Sequence, residues 1–399
     1  MHKEIEDFYA HMLVCRHTST SQGTFVKKEG EFMNFYLIRT DSDHQSERFA
    51  QAFDEIRRTV RGSAAAESFQ ELNGFEAFAE AARQGRLQNA ALLFAAETDA
   101  GGIRNGTHAL LRFLHLHADE LPLAGARGGI LIDGQSDLFT KDLARRIAFA
   151  ANRCGCMFPG KPLVEICPDL HNFTVLSRLW QCSPEDARQI SCRQLAEKLL
   201  TFAPVSLPHP KVLAIHAGNH QTSNSLSLWR MAASELQKNA KIEEISIRNG
   251  QLWDCRGCKY EACLHFGEQG DCFYGGVMTE KVYPAIVQSD VVVLICPNYN
   301  DSVSANIMAF INRLTSVFRV NDFSRKRIYA LIVSGYSGGD LVAQQIIGAM
   351  NMNKNMILPP RFAMLETANA PGEILQVPRI KEKAAKFAAA VSSFPISHT

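Results

Sequence analysis

The stretch "KVLAIHAGNHQTSNSLSLWRMAASELQ", residues 211–237, decides the fold. It opens with the short apolar run "KVLAI" (211–215), which reads as a buried strand. A small polar loop follows, rich in hydroxyl and amide side chains and free of acids. "SLSLWRMAASELQ" (225–237) then takes up helical periodicity. Strand, polar loop and helix form the opening unit of a doubly wound α/β sheet, where ligands sit beyond the carboxyl ends of the strands.

Downstream, the alternation continues. "IEEISI" (242–247) alternates like a strand, and "VVVLIC" (291–296) reads as a strand buried on both faces. A helix is expected over 304–316 with Ser304 as its N-cap. "IYALIVSG" (328–335) is a further strand, "QQIIGAM" part of a helix, "RFAMLE" (361–366) the last strand and "IKEKAAKFAAAV" (380–391) a terminal helix.

The first half repeats this plan. "AALLFAAETDAGGIRNGTHALLRFL" from 90 resembles "DVVVLICPNYNDSVSANIMAFINRL" from 290, an offset of 200. "GGILIDG" ends at 134 and "YALIVSG" at 335; "KPLVE" ends at 165 and "FAMLE" at 366, both offsets of 201. "NFYLIRTDSDHQSE" (34–47) lies along "KVLAIHAGNHQTSN" (211–224), each with a His-Gln pair. Loops drift between unrelated domains, so near-constant spacing indicates a tandem duplication. The expected organisation is an arm over 1–32, a degenerate domain over 33–172, a helical connector and linker over 173–208, and a ligand-binding domain over 209–399. Within the connector, Ser183 is the expected N-cap of a helix with Pro184 at its first position and acids in its first turn.

Bulk properties narrow the function. The chain has 399 residues, 46% of them hydrophobic and 21% charged, with a formal net charge of +1. That balance gives no electrostatic reason to expect nucleic acid or an anionic membrane as partner. No apolar run is long enough to span a bilayer. The start "MHKEIEDFYAHML" mixes acids and bases, unlike an export signal, and eleven cysteines is an odd number. Reduced thiols or metal ligands in a cytoplasmic protein are therefore expected. "CGC" (154–156) reads as structural, and "HLHADE" (115–120) as a polar helix end.

Three motifs carry chemistry. The loop "AGNHQTSNS" offers Gly218, His220, Ser223, Asn224 and Ser225 at a helix N-terminus, where unpaired N–H groups and partial positive charge attract phosphate. "CRGCKYEACLHFGEQGDC" (255–272) places Cys255, Cys258, Cys263 and Cys272 within 18 residues. "CPNYNDSVSANIMAFINRL" (296–314) and "SGYSGG" (334–339) supply two further loops.

In this order the motifs resemble the NAD(P)H-dependent FMN reductases of flavodoxin-like fold. The loop is similar to their "GSPRKxSNT" phosphate loop, the cysteine segment to their insertion after the second strand. The segment from 296 is similar to the part that lines the isoalloxazine ring. The resemblance implies two tandem flavodoxin-like domains with five-stranded parallel sheets. It implies FMN in the second, with its phosphate at Ser223, Asn224 and Ser225. The ring would lie near Pro297, Asn298, Tyr299, Asn300, Ser304, Ser334, Gly335, Tyr336 and Gly338. NAD(P)H would be co-substrate and a small-molecule electron acceptor the partner. Hydride chemistry would belong to the flavin, so no catalytic side chain is assigned. A non-catalytic electron-transfer protein and a flavin-free interaction protein are the other readings.

The cysteine spacing is similar to the compact motif of iron–sulfur flavoproteins, with a gap of four where that motif has two. A [4Fe–4S] cluster, a structural zinc and unmetallated thiols are the alternatives. Relatives of the resembled family pair commonly. An internal pseudo-dimer of the two halves is expected on that ground, with further homo-oligomerisation left open. In the first half, Asp41, Asp43, Glu47, Glu97 and Asp99 would repel a phosphate despite Arg39 and Arg48, so that copy is expected to bind no flavin.

Overall fold

The computed structural model describes residues 32–41, 46–248 and 252–394. The arm expected over 1–32, Asp43 and the His-Gln pair at 44–45 lie essentially outside these residues. The chain divides into two units, Met1–Phe202 and Ala203–Thr399.

The first unit runs β1 (Met33–Arg39), α1 (Glu47–Arg61), β2 (Ala66–Asn73), α2 (Phe75–Arg83), β3 (Ala91–Glu97) and α3 (Asn105–Leu116). It continues with β4 (Arg127–Asp133), α4 (Thr140–Arg153), β5 (Leu163–Ile166), α5 (Thr174–Trp180) and α6 (Pro184–Thr201). The second runs β6 (Lys211–His216), α7 (Asn224–Leu236), β7 (Lys241–Ser246), α8 (Tyr260–Glu268), α9 (Tyr283–Gln288) and β8 (Val291–Pro297). It ends with α10 (Ala305–Val320), β9 (Arg327–Ser334), α11 (Gly339–Ile346), β10 (Ala363–Thr367) and α12 (Ile380–Ser393). Both sheets are parallel and five-stranded, in the orders β2-β1-β3-β4-β5 and β7-β6-β8-β9-β10. These are two flavodoxin-like domains of the same strand order, as the sequence implied.

Hydrogen bonding corrects one detail. Arg127 bridges Met157 and Arg327 bridges Ile357. Ile130 N–H donates to Pro162 O, and Ala330 N–H to Phe362 O. Every pair is offset by 200, including the fourth and fifth strands, where sequence similarity suggests 201. Similar small apolar residues slide past each other in an alignment by sight; a ladder of N–H···O bonds does not. Asp133 therefore stands where the second unit has Val333.

The central strands are sheathed on both faces. Every residue of β3 is buried, as is β8 up to Cys296, which explains their continuous apolar runs. The helix expected in the connector is α6. Its Ser183 cap, Asp186 capping box and Pro184 form as the sequence indicated. It packs on α1 and the first sheet, placing Ala187, Cys192, Leu195, Ala196 and Leu199 in the first core. Burying leucines such as Leu195 and Leu199 stabilises that core by about 1.5–3 kcal/mol each. In the second unit α12 packs on α7 in the same way. Cys154 and Cys156 are buried in the first unit.

A half-buried cation makes stability depend on pH. Burial, helped by Arg319, lowers the Lys354 ammonium to about 8. Its Nζ donates to Thr315 Oγ1 at 3.1 Å and lies 5.5 Å from the Phe318 ring centroid. A depressed lysine pKa means that the unfolded chain binds more protons between about pH 8 and its ordinary value. Stability of the second unit should rise across that window, by about 2 kcal/mol after allowing for partial exposure. Lys354→Met should flatten that part of the profile in chemical denaturation measured from pH 7.5 to 10.

Candidate functional site

Three loops leave the carboxyl ends of β6, β8 and β9 and carry the residues singled out above. The first, 217–223, joins β6 to α7. Ser223 caps α7, its Oγ accepting from Leu226 N–H at 3.2 Å. The first-turn N–H groups of Asn224 and Ser225 have no intrahelical acceptor by helix geometry. Gly218 lets the chain fold tightly here, since a Cβ would stand 2.9 Å from Ser223 Oγ and 3.0 Å from Leu226 Cδ1. No acidic side chain occurs between 216 and 225.

Asn224 has a different task from the one implied. Its Nδ2 donates to Ala368 O (3.2 Å) and Ala370 O (2.9 Å), and its Oδ1 accepts from Gly372 N–H (3.0 Å). The side chain thus ties α7 to the loop after β10, leaving only its backbone N–H for an anion. Asn224→Leu would orphan several buried groups and should cost about 2–4 kcal/mol of second-unit stability, read by thermal denaturation. His220 is also held by its main chain: Arg230 Nη2 donates to His220 O at 3.0 Å.

Beneath the loop lies a residue that sequence reading missed. His216 ends β6 at 1% exposure, with Nε2 3.3 Å from Glu244 Oε1. Glu244 also accepts from Trp229 Nε1 at 2.7 Å. Burial holds His216 below the ordinary imidazole range, with Glu244 opposing. The neutral ring therefore donates from Nε2, and its buried Nδ1 has no partner. Only a histidine ending a buried strand signals this in sequence.

The second loop follows β8. Asn300 and Asp301 have φ of 53° and 57°, and Tyr299 and Ser302 pair across them, giving a tight two-residue turn. Asn298 Nδ2 donates to Ser337 O (2.8 Å) and Ser334 Oγ (3.2 Å), joining this loop to the third. Its Oδ1 is a buried acceptor without a partner. Ser304 caps α10 through Ile307 N–H. Tyr299 and Tyr336 are largely exposed, and Tyr336 OH accepts from Asn369 Nδ2 at 3.0 Å. Gly338 sits at φ 82° behind the turn, and Gly335 lies against Asn369.

The four cysteines form no such focus. Cys255 and Cys258 are exposed, while Cys263 and Cys272 are half-buried. Burial pushes the Cys263 thiol up, with Arg319 opposing and the other three sulfurs adding to it. Among the described residues, no three of these sulfurs lie within 4.8 Å of one another. Asn312 Nδ2 ties the segment to α10 by donating to Asp254 Oδ1 at 3.0 Å.

In the first unit the equivalent cradle is filled from within. Ser46 caps α1 as Ser223 caps α7. Its N–H donates to Glu97 Oε1 (3.0 Å) and its Oγ to Asp133 Oδ2 (2.6 Å). Arg48 Nε bonds Asp133 Oδ1 at 2.6 Å. Asp41 Oδ1 accepts from Gly106 N–H at 2.7 Å, at the start of α3. Burial pushes the Asp133 carboxyl up, opposed by the hydrogen bonds from Ser46 and Arg48. By register these three acids replace Val333, Pro297 and Gly218. The expected repulsion thus has a structural form, carried by Glu97, Asp41 and the unforeseen Asp133, whereas Glu47 is exposed.

A five-stranded parallel sheet of this order, with these loops at its carboxyl ends, defines a flavodoxin-like domain. Residues 210–370 match the model of the NADPH-dependent FMN reductase family, so the second unit bears out the resemblance stated from its sequence. No curated protein matches the chain. Similar solved structures include an FMN-dependent NADH-azoreductase from Bacillus anthracis in complex with FMN. It is 12% identical, with a TM-score of 0.34, over 46% of this chain and 100% of that one. An NAD(P)H:quinone oxidoreductase from Methanothermobacter marburgensis is 11% identical, with a TM-score of 0.36, over 45% and 98%. Among the described residues, no helix is long and apolar enough to cross a membrane.

Proposed function

We propose that the second unit binds FMN and reduces a small acceptor, a flavin, a quinone or a similar molecule, at the expense of NADPH or NADH. The observation that carries this reading is the acid-free cradle at the end of β6, inside the segment that matches the reductase family. The residues present fit the cofactor. Gly218, Ser223 and the first-turn N–H groups of α7 suit a phosphate dianion. The unpaired Asn298 Oδ1 suits a ring N–H, and the exposed Tyr299 and Tyr336 offer flat faces beside it. Bound FMN would supply hydride acceptance and release; the chain holds its phosphate, places its ring and needs no acid or base of its own.

The cysteine segment enters no step of this scheme, because its sulfurs do not converge as a ligand set. Anaerobic mixing of the FMN-loaded protein with NADPH or NADH is the test. Rapid bleaching of the flavin absorbance is expected. A loaded flavin that neither nucleotide reduces would leave an electron carrier, and a folded chain that retains no flavin would end the reading altogether.

A further inference from the structure

The carboxyl edge of the first sheet holds a second group of donors, away from its filled cradle. β5 ends at Ile166, and the next residues are Cys167, Pro168, Asp169, Leu170 and His171. Asp137 comes from the loop after β4 and points at the same place. His171 Nε2 stands 3.2 Å from Asp137 Oδ1. One donor atom from each of Asp137, Cys167 and His171 lies within 4.8 Å of the other two.

The histidine is oriented. Its Nδ1 is hydrogen-bonded to Asp169 Oδ1, the oxygen that also accepts from its own backbone N–H at 3.1 Å. That leaves Nε2 facing Asp137 and the thiol. The loop is pinned as well: Leu170 takes a left-handed φ of 54°, and Asn172 Nδ2 donates to Glu165 O at 2.6 Å. Asn172 Oδ1 accepts from Cys167 N–H at 3.4 Å. Cys167 itself is 2% exposed.

We propose that this group is a binding site for a zinc-type divalent ion, held by Cys167 Sγ, His171 Nε2 and an Asp137 carboxylate oxygen, with Asp169 orienting the imidazole. Carboxylates alone would describe a solvated surface. A buried sulfur and an oriented imidazole at the same point describe the donor preference of zinc. A carboxylate on the far ring nitrogen is the partner that metal-bound histidines commonly have. Metal–donor bonds of about 2.0–2.3 Å require the three atoms to draw together by about 1 Å. The exposed Asp137 side chain can supply that movement by rotation. On binding, the Cys167 S–H proton passes to solvent and a metal–sulfur bond replaces it, while His171 binds as the neutral imidazole and releases to solvent any proton that Asp169 and Asp137 favour on it. Three protein donors leave the fourth position to water. By register the second unit has Ser337, Thr367 and Pro371 at these places, so the site belongs to the first unit alone.

The test is Co2+ titration of the chelator-treated full chain carrying Cys255→Ser and Cys258→Ser, so that the exposed thiols cannot contribute. The expected result is saturable binding of one ion, with a thiolate charge-transfer band and strong visible bands, reversed by Zn2+. His171→Ala and Asp137→Asn, both at exposed side chains and checked by circular dichroism, should weaken binding at least about tenfold. Asp169→Asn should weaken it about 10–100-fold and keep the thiolate band. Cys167→Ser should abolish the band. A folded protein with no saturable binding, or binding unchanged in His171→Ala and Asp137→Asn, would overturn the proposal.

Discussion

Ser223→Asp should strip the protein of FMN, lowering affinity more than a hundredfold, while the second unit stays folded. Aspartate caps helices as well as serine, so α7 keeps its acceptor for Leu226 N–H. The change is therefore in charge. A carboxylate at about 4 Å from a phosphate dianion in a partly desolvated cradle costs well over 3 kcal/mol, beyond the hundredfold mark. Flavin absorbance after gel filtration, with fluorescence titration of the stripped protein, reads the effect.

The matching control is Ser46→Ala in the first unit, and the structure explains why aspartate cannot serve there. Ser46 Oγ lies 2.6 Å from Asp133 Oδ2, so a new carboxylate would meet a buried one. Alanine removes the cap and should cost about 0.5–2 kcal/mol of first-unit stability. FMN content should not change. Equal flavin loss in both variants would mean that the cradle at the end of β6 does not hold the cofactor.

How much of this was legible beforehand varies with the kind of signal. Period, caps and repeats are local, so both sheets, the Ser304 and Ser183 caps and the acid-free loop could be read from the chain. Registers are not local, which is why sequence similarity sets the fourth and fifth strands one residue off. The division of labour within a motif was hidden as well. Ser223 and Asn224 are neighbours in a polar run, yet one caps a helix and the other fastens a loop some 150 positions away. Asp133 looked like an ordinary strand end, and its role depends on Ser46 and Arg48 reaching it across the fold. The Cys167 and His171 pair escaped notice because its third member, Asp137, lies in another loop.

Gly338 should prove the least replaceable residue of the ring-side loops, and Gly372 shows why. Both have φ of 82°, a backbone region that costs any other residue about 1 kcal/mol or more. At Gly372 nothing lies within 4 Å of a built Cβ, so Gly372→Ala should carry only that backbone cost and leave FMN binding unchanged. At Gly338 the same atom would stand 2.0 Å from Asp301 Oδ1 and 2.9 Å from Asn298 Nδ2. Gly338→Ala must therefore turn the Asp301 carboxylate aside and press on Asn298 Nδ2, straining its bond to Ser337 O. The common anchor of both ring-side loops is then weakened. The expected outcome is a stability loss of about 2–4 kcal/mol and at least a tenfold fall in FMN affinity. Asp301→Gly in the same chain removes the closest obstacle and should restore part of both. Equal behaviour of Gly338→Ala and Gly372→Ala in calorimetry and flavin titration would show that the two loops are not held together at this point.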